Sequence, residues 1–339
     1  MGTVEIQPLE MQYRALGKTG IKISALSFGA GPVSSLMVGD DGDRQRAVVR
    51  RAIEVGINWF DTAATYGAGQ SERNLGRVFH ELGIAGIHVA TKVRLMPEDL
   101  GDIRGAVRRS FEGSLERLRL PRVTLLQLHN SVTRQRGDEP TSVTPQDVLG
   151  GSGIIAAFEE LRAEGLISHL GLTGIGDPTA LEELVRSGQF ATIQVPYHLL
   201  NPSAGRSMPA GFAETNYGNI IAACSQNQMG VLAIRVLAGG ALANSPPSPH
   251  TFKTPFFPLE LYRRDRRRAS NLQATLGADR QLPREAIRFA LNHPSVSSAL
   301  IGFAEPRQIE EAVESLISVE PSLDWDEILA AEFACDREI

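Results

Sequence analysis

Four ionisable side chains in this chain stand where short apolar runs break off. Trp59-Phe60 stops at Asp61, and a phenol, Tyr66, follows five residues on in "DTAATYG". The run "HVATK" ends on Lys92, and "LLQLH" ends on His129. A tyrosine ordinarily holds its proton to about pH 10. It exchanges that proton near neutrality only when positive charge or hydrogen bonds favour the phenolate. The Lys92 ammonium can supply that charge, and in a partly desolvated cleft it needs a counter-ion, which Asp61 can provide. His129 can hydrogen-bond a substrate oxygen or relay a proton. Together the four read as a device for protonating a carbonyl oxygen, or deprotonating an alcohol, during hydride transfer. Each alone has a bland explanation: a structural ion pair, a core imidazole, a packed loop ring. Their joint occurrence at successive strand ends points to chemistry.

Such a device needs strands that all open on one face. Strand-like runs recur at Ala25–Gly29, Asn58–Asp61, His88–Lys92, Leu125–His129, His169–Thr173, Thr192–Val195, Val231–Arg235 and Ser298–Gly302. Most are near-continuously apolar, as parallel strands covered on both faces are. Helical patterns lie between them. In Asp102–Leu120 the residues Ile103, Val107, Phe111, Leu115 and Leu118 recur at helical spacing. In Pro306–Ile317 the stripe is Ile309, Val313, Leu316 and Ile317, and Asp43–Val55 ends at the capping Gly56. About eight strand–helix units predict an α/β fold, a (β/α)8 TIM barrel, over 1–339 as a single domain with its core at about 13–318. "YRALGKTGIKIS" reads as a hairpin turning at Lys18–Gly20 and plugging one end. The long loops Asn130–Gly153 and Ala243–Pro258 are expected to form lids or pocket walls.

Composition narrows the function classes. With 42% hydrophobic and 22% charged residues over 339 positions, the chain has ample material for one large core. A net charge of −5 argues against a nucleic-acid partner. The basic run "YRRDRRR", Tyr262 to Arg268, reads as a solvated helical face. No apolar run approaches a membrane span, and no signal peptide is visible, so a cytoplasmic protein is expected. Cys224 and Cys335 are too few for a disulfide framework, which suits a reducing compartment. The seven histidines are scattered, with no H-x-H pair at a strand end, so no metal site is expected. The chain is compatible with a monomer or a homo-oligomer.

"GINWFDTAATYGAGQSERNLG", followed by "ATK" and "LLQLHN" and preceded by "YRALGKTGIKISALSFG", resembles the aldo-keto reductase superfamily from about Tyr13 to about Ser318. The resemblance makes Asp61, Tyr66, Lys92 and His129 a catalytic tetrad, with Tyr66 as general acid or base, Lys92 and Asp61 tuning it, and His129 orienting the carbonyl. It implies a nicotinamide coenzyme bound without a Rossmann fold, and no strand here is followed by G-x-G-x-x-G. Thr173-Gly174 stands where the family has a Ser-Asn pair that holds the carboxamide. Gln194, in "IQVPYHLLN", matches a second carboxamide contact, with Tyr197 nearby. "IRVLAGGAL" resembles the loop spanning the diphosphate, placing Arg235, Leu237 and Gly239 there. "LIGFAEPRQIEEAVE" resembles the motif gripping the adenosine end, through Gly302, Arg307, Gln308 and Glu311. The family's usual partner is NADP(H). Local residues, with Glu305 acidic and Arg307 the one cation in reach, favour NAD(H), so both stay open. The hairpin and the Thr-Gly pair resemble most the sugar-oxidising branch, of the L-galactose or D-threo-aldose dehydrogenase kind. The substrate implied is a small carbonyl compound or a sugar. An alternative from the same superfamily is a redox-sensing, nicotinamide-binding regulatory subunit with little turnover.

Overall fold

In the computed structural model, residues 11–277 and 279–317 are described, together with 323–325 and 328. Cys335 and Ser318 lie outside the described residues. The first two strands, β1 (Tyr13–Ala15) and β2 (Lys22–Ser24), pair antiparallel as a hairpin. Eight strands follow: β3 (Leu26–Gly29), β4 (Trp59–Asp61), β5 (His88–Val93), β6 (Val123–Leu128), β7 (Ile167–Thr173), β8 (Thr192–Pro196), β9 (Gly230–Ile234) and β10 (Val296–Ile301). They pair in chain order, all parallel, and β10 returns to β3, so the sheet closes into a barrel. Between the strands run α1 (Gly42–Glu54), α2 (Gln70–Leu82), α3 (Ile103–Leu118), α4 (Pro145–Leu149), α5 (Ile154–Ala163), α6 (Pro178–Arg186), α7 (Ile220–Gln226), α8 (Leu259–Leu276) and α9 (Leu282–Asn292), and α10 (Pro306–Glu314) follows β10. This is the (β/α)8 architecture that the run spacing implies.

Two apolar regions hold it. The larger lies between strands and helices, which is why the strands read as unbroken apolar runs. The smaller lies inside the barrel: Leu16 and Ile23 of the hairpin pack with Trp59, Ala90, Leu125 and Leu232, all buried. The hairpin is therefore a plug, and each of its two aliphatic side chains contributes about 1.5–3 kcal/mol by leaving water. With the N-terminal end closed by apolar groups, polar chemistry is confined to the other end.

Helix ends follow local chemistry. Asp41 accepts from the Arg44 amide and starts α1, and Asp102 accepts from the Gly105 amide and starts α3. The α3 stripe faces the core through Val107, Phe111 and Leu118. The apolar pattern from Pro306 runs past its helix: α10 ends at Glu314, and Ile317 is exposed. The basic run 262–268 differs more. It lies in α8, but Tyr262, Asp265 and Arg268 are buried. The three share one face of the helix at three-residue spacing, and Arg268 Nη1 donates to Glu214 Oε1 at 3.0 Å, so only part of the run is a solvated face. The expected loop 130–153 contains the short helix α4, opened by Thr144, which accepts from the Asp147 amide.

Candidate active site

Four strands send polar side chains into the barrel interior. Asp61 ends β4, and Lys92 of β5 sits beside Gln127 of β6 in the parallel register. The Lys92 ammonium, 1% exposed, pairs with Asp61 Oδ1, and Asp61 is 2% exposed. It also donates to the Thr62 carbonyl at 2.8 Å and to Tyr66 OH at 3.2 Å. The second oxygen of Asp61 accepts from Gln127 Nε2 at 2.9 Å and from Gln194 Nε2. A buried carboxylate without donors would be costly, and here both oxygens are met. Burial opposes the charge on Lys92, but Asp61 and then Tyr66 outweigh it, and the ammonium is held above the usual lysine range. Lys92 is a fixed cation, and the Tyr66 oxygen lies within its reach.

The loop that carries Tyr66 is tied down by the "SE" that follows it. Ser71 Oγ donates to the Ala30 carbonyl at 2.8 Å and lies 2.8 Å from Thr62 Oγ1. Glu72 is fully buried and accepts from Thr91 Oγ1 at 2.5 Å and from Arg117 Nε at 2.6 Å. Gly69, at φ +83°, opens α2 where a Cβ would lie 2.6 Å from Arg117 Cδ. The motif spacing is thus a positioning device for one phenol. Gly31 borders the slot, its Cβ position in ordinary contact with the Tyr66 ring at 3.6–3.7 Å.

His129 falls one residue beyond β6, where its amide donates to the Val93 carbonyl at 2.8 Å. Its ring stands edge-on to Tyr66, with centroids 5.6 Å apart. Nδ1 lies 3.3 Å from Thr65 Oγ1. Burial first, then Lys92 and Arg94, hold its pKa well below the usual histidine range. The imidazole is therefore neutral at pH 7, able to donate one N–H. The structure brings all four predicted residues together, at one end of the barrel.

The residues expected at a coenzyme divide. Thr173 ends β7 with a buried hydroxyl that has no hydrogen-bond partner, a group that a bound amide would satisfy. At Gly174 a side chain would press on Ile193, 2.9 Å from its Cβ position. The Gln194 amide nitrogen donates to Asp61, which places the residue in the interior quartet, because that carboxylate oxygen requires donors. Tyr197 faces α9. Its ring stacks on Phe289 of α9 with centroids 5.0 Å apart and is 6% exposed, so it belongs to the outer core. Arg235 follows β9 at φ +56°, with its guanidinium 4.0 Å from the Phe257 ring centre and 3.7 Å from Asp265 Oδ2. Burial pushes the Asp265 carboxyl up to about 6, against the pull of Arg235. Leu237 packs on the core, and its carbonyl accepts from the Gly240 amide at 2.9 Å. Gly239, at φ +67°, brings bare backbone over Arg235, whose guanidinium nitrogens lie 3.5–3.6 Å from its Cβ position.

At the far end Gly302 is exposed just past β10. Gln308 Oε1 accepts from the Ala304 and Glu305 amides at 2.7 and 3.2 Å, so it shapes the loop. Arg307 is 85% exposed and is held by Glu311 at 2.8 Å along α10. The cation on Glu305 is instead Arg44 of α1, which also donates to the Ala304 carbonyl at 2.8 Å. Arg44 escaped sequence reading because it comes from the opposite end of the chain. Gln127 escaped too, yet it carried a signal: a polar residue, two before His129, inside an apolar run. Among the described residues no group of His, Cys, Asp and Glu could hold a metal ion, and no helix is long and apolar enough to cross a membrane.

Comparison with known proteins adds the following. The profile of the Aldo/keto reductase family matches residues 26–331. The chain is 29% identical to an L-galactose dehydrogenase of Arabidopsis thaliana over 328 residues, covering 95% of this chain and 93% of that one. It is 29% identical to a D-threo-aldose 1-dehydrogenase of a Pseudomonas species over 345 residues, covering 94% and 96%. The holo form of an aldo-keto reductase from Bacillus halodurans superposes with a TM-score of 0.70 at 21% identity, covering 95% of this chain and 96% of that one.

Proposed function

Since the chain belongs to the aldo/keto reductase family and is an NAD(P)-dependent oxidoreductase, we propose that it interconverts a carbonyl and an alcohol, with Tyr66 as the proton donor and acceptor. The observation that carries this is the Lys92 ammonium, buried and shared between Asp61 and the Tyr66 oxygen at 3.2 Å. In reduction Tyr66 gives its proton to the carbonyl oxygen, and Lys92 stabilises the phenolate that remains. In oxidation the same phenolate takes the alcohol proton. Asp61 keeps Lys92 charged and in place, and Gln127 and Gln194 keep Asp61 in place. The neutral His129 donates its N–H to the same substrate oxygen and sets its direction.

A nicotinamide coenzyme, when bound, would supply or take the hydride. Thr173 would hold its carboxamide, the partnerless hydroxyl being the supporting observation. Arg235 and the bare backbone at Gly239 would hold the diphosphate, since a guanidinium suits that group and a glycine lets it approach the chain closely. Gly302, Arg44 and the loop capped by Gln308 would lie along the adenosine ribose. Arg307 is engaged by Glu311 and leaves a 2′-phosphate one cation poorer, which supports use of NAD(H) beside NADP(H). The two sugar dehydrogenases among the relatives support the anomeric carbon of a free aldose as one substrate, with simple aldehydes in the reverse direction.

The test is a fluorescence titration of the protein with NADPH and with NADH, joined to turnover of a reactive aldehyde and of free aldoses. The expected result is micromolar binding of at least one coenzyme and turnover of at least one substrate. Tight binding with no turnover would favour the regulatory alternative. Absence of binding below millimolar would overturn the proposal.

A further inference from the structure

Arg94 is a cation that the chemistry above does not use. It lies two residues beyond Lys92, on the continuation of the inward side of β5. Its Nη2 donates to the His129 carbonyl at 3.3 Å, which fixes it beside the catalytic imidazole. The Phe256 ring, from the loop after β9, covers its guanidinium at 5.2 Å. That ring occupies one face and leaves the edge of the guanidinium, where its donors point. Its Nε is buried and has no hydrogen-bond partner. The charged and titratable groups that act on it or border it are Tyr66, His129 and, one turn of the strand away, Lys92, and no carboxylate pairs with it among the described residues.

Arg14, another half-buried arginine without a carboxylate among the described residues, spends its donors on the Leu291 and Val296 carbonyls at the hairpin end, whereas Arg94 keeps an unpartnered Nε. Semi-buried arginines at the same end as Arg94 are matched: Arg268 and Arg264 meet Glu214, and Arg235 faces Asp265. General attraction of anions is not the explanation either, since the net charge is −5. The unmatched charge is local, bound to the backbone of His129 at the mouth of the site. A ligand that brings its own negative charge would complete it through paired N–H donors.

We propose that Arg94 is a substrate-recognition residue and that the preferred substrates among such carbonyl compounds carry an anionic group, a carboxylate or a phosphate, at the end remote from the carbonyl. This rests on the oxidoreductase reading of Tyr66, Lys92 and His129. The carbonyl oxygen sits at Tyr66 and His129, and the anion reaches up to Arg94 beneath Phe256. A guanidinium that exchanges water for such an anion favours the anionic substrate by about 10- to 100-fold in kcat/KM.

The experiment compares matched pairs with the wild-type holoenzyme, Arg94→Gln and Arg94→Lys. Succinic semialdehyde against butanal and glucuronate against glucose test the carboxylate. Glyceraldehyde 3-phosphate against glyceraldehyde tests the phosphate. Wild type is expected to prefer the charged member of at least one pair, through KM, and the pair that shows it identifies the anion. In Arg94→Gln, kcat/KM for the charged member is expected to fall 10- to 100-fold further than for its neutral twin, with part restored in Arg94→Lys. Equal losses for both members would make Arg94 a prop for His129 and overturn the proposal. Turnover of neutral members with no preference for charge would overturn it while leaving the oxidoreductase reading intact. Turnover of none would remove both.

Discussion

Replacing Asp61 with asparagine tests the interior ion pair by subtraction. The change preserves shape but leaves the Lys92 ammonium, 1% exposed, with neutral acceptors only: the new amide oxygen, the Thr62 carbonyl at 2.8 Å and Tyr66 OH at 3.2 Å. Breaking one side of a buried pair costs about 3–5 kcal/mol. For 339 residues the unfolding entropy is about 0.7 kcal/mol/K, so the melting temperature should fall by about 4–7 °C at pH 7. The pH dependence carries a second signature. In the wild type Lys92 is held above the usual lysine range, so its contribution is complete below about pH 10.4 and is lost as pH rises from there through the raised pKa. Without Asp61, burial, the largest influence on Lys92, is opposed by Tyr66 alone, and the native pKa should fall below the usual value. The unfolded chain then binds more protons than the native one, so the variant gains stability as pH rises toward about 10.4. Thermal unfolding followed by circular dichroism from pH 7 to about pH 10 reads both effects, with the wild type as the baseline. A variant as stable as the wild type at pH 7, with a parallel pH profile, would refute the argument that Asp61 maintains a buried ammonium.

Other consequences can be checked alongside. Burial holds His129 and His198 well below the usual histidine range, so the unfolded chain takes up protons below about pH 6.5 that the native one does not, and stability should fall as pH drops through that value. Urea midpoints from pH 8 to pH 5 measure this, and the slope should be shallower in His198→Asn. Glu72→Ala should destabilise by about 1–3 kcal/mol, since Arg117 and Thr91 lose a buried acceptor, and should lower kcat as the Tyr66 loop loosens. Unfolding and steady-state rates of the same preparation test it, and an unaltered kcat would deny the loop its positioning role. Arg307→Ala should change NADPH affinity by no more than about fivefold, because its guanidinium is exposed and held by Glu311. A fluorescence titration showing a larger loss would place Arg307 on the 2′-phosphate.

Much of the site was legible in order along the chain. Asp61, Lys92 and His129 end apolar runs, and a barrel sends strand ends to one face, so their convergence follows from pattern and topology together. Tyr66 followed from its place in the loop after β4. The hairpin plug was also readable, since "ALGKTGIK" sets Leu16 and Ile23 beside a turn. What escaped depends on distant parts of the chain. Arg44 reaches Glu305 across some 260 residues, and Phe256 meets Arg94 through the path of a long loop. Tyr197 stacks on Phe289 and Gln194 donates to Asp61, contacts that no local spacing reveals. The basic run in α8 read as solvated because charge was weighed without its partner, Glu214.

The most direct test of the central claim is transfer of deuterium from reduced coenzyme labelled at C4 of the nicotinamide ring to an aldehyde, in the wild type and in Tyr66→Phe, within a single turnover. The account predicts an alcohol labelled at its carbinol carbon from the wild type. In Tyr66→Phe it predicts coenzyme affinity close to the wild type and transfer slower by about 10²- to 10⁴-fold. Transfer at the wild-type rate in Tyr66→Phe would contradict it, since the proton would then come from somewhere other than the phenol that Lys92 holds.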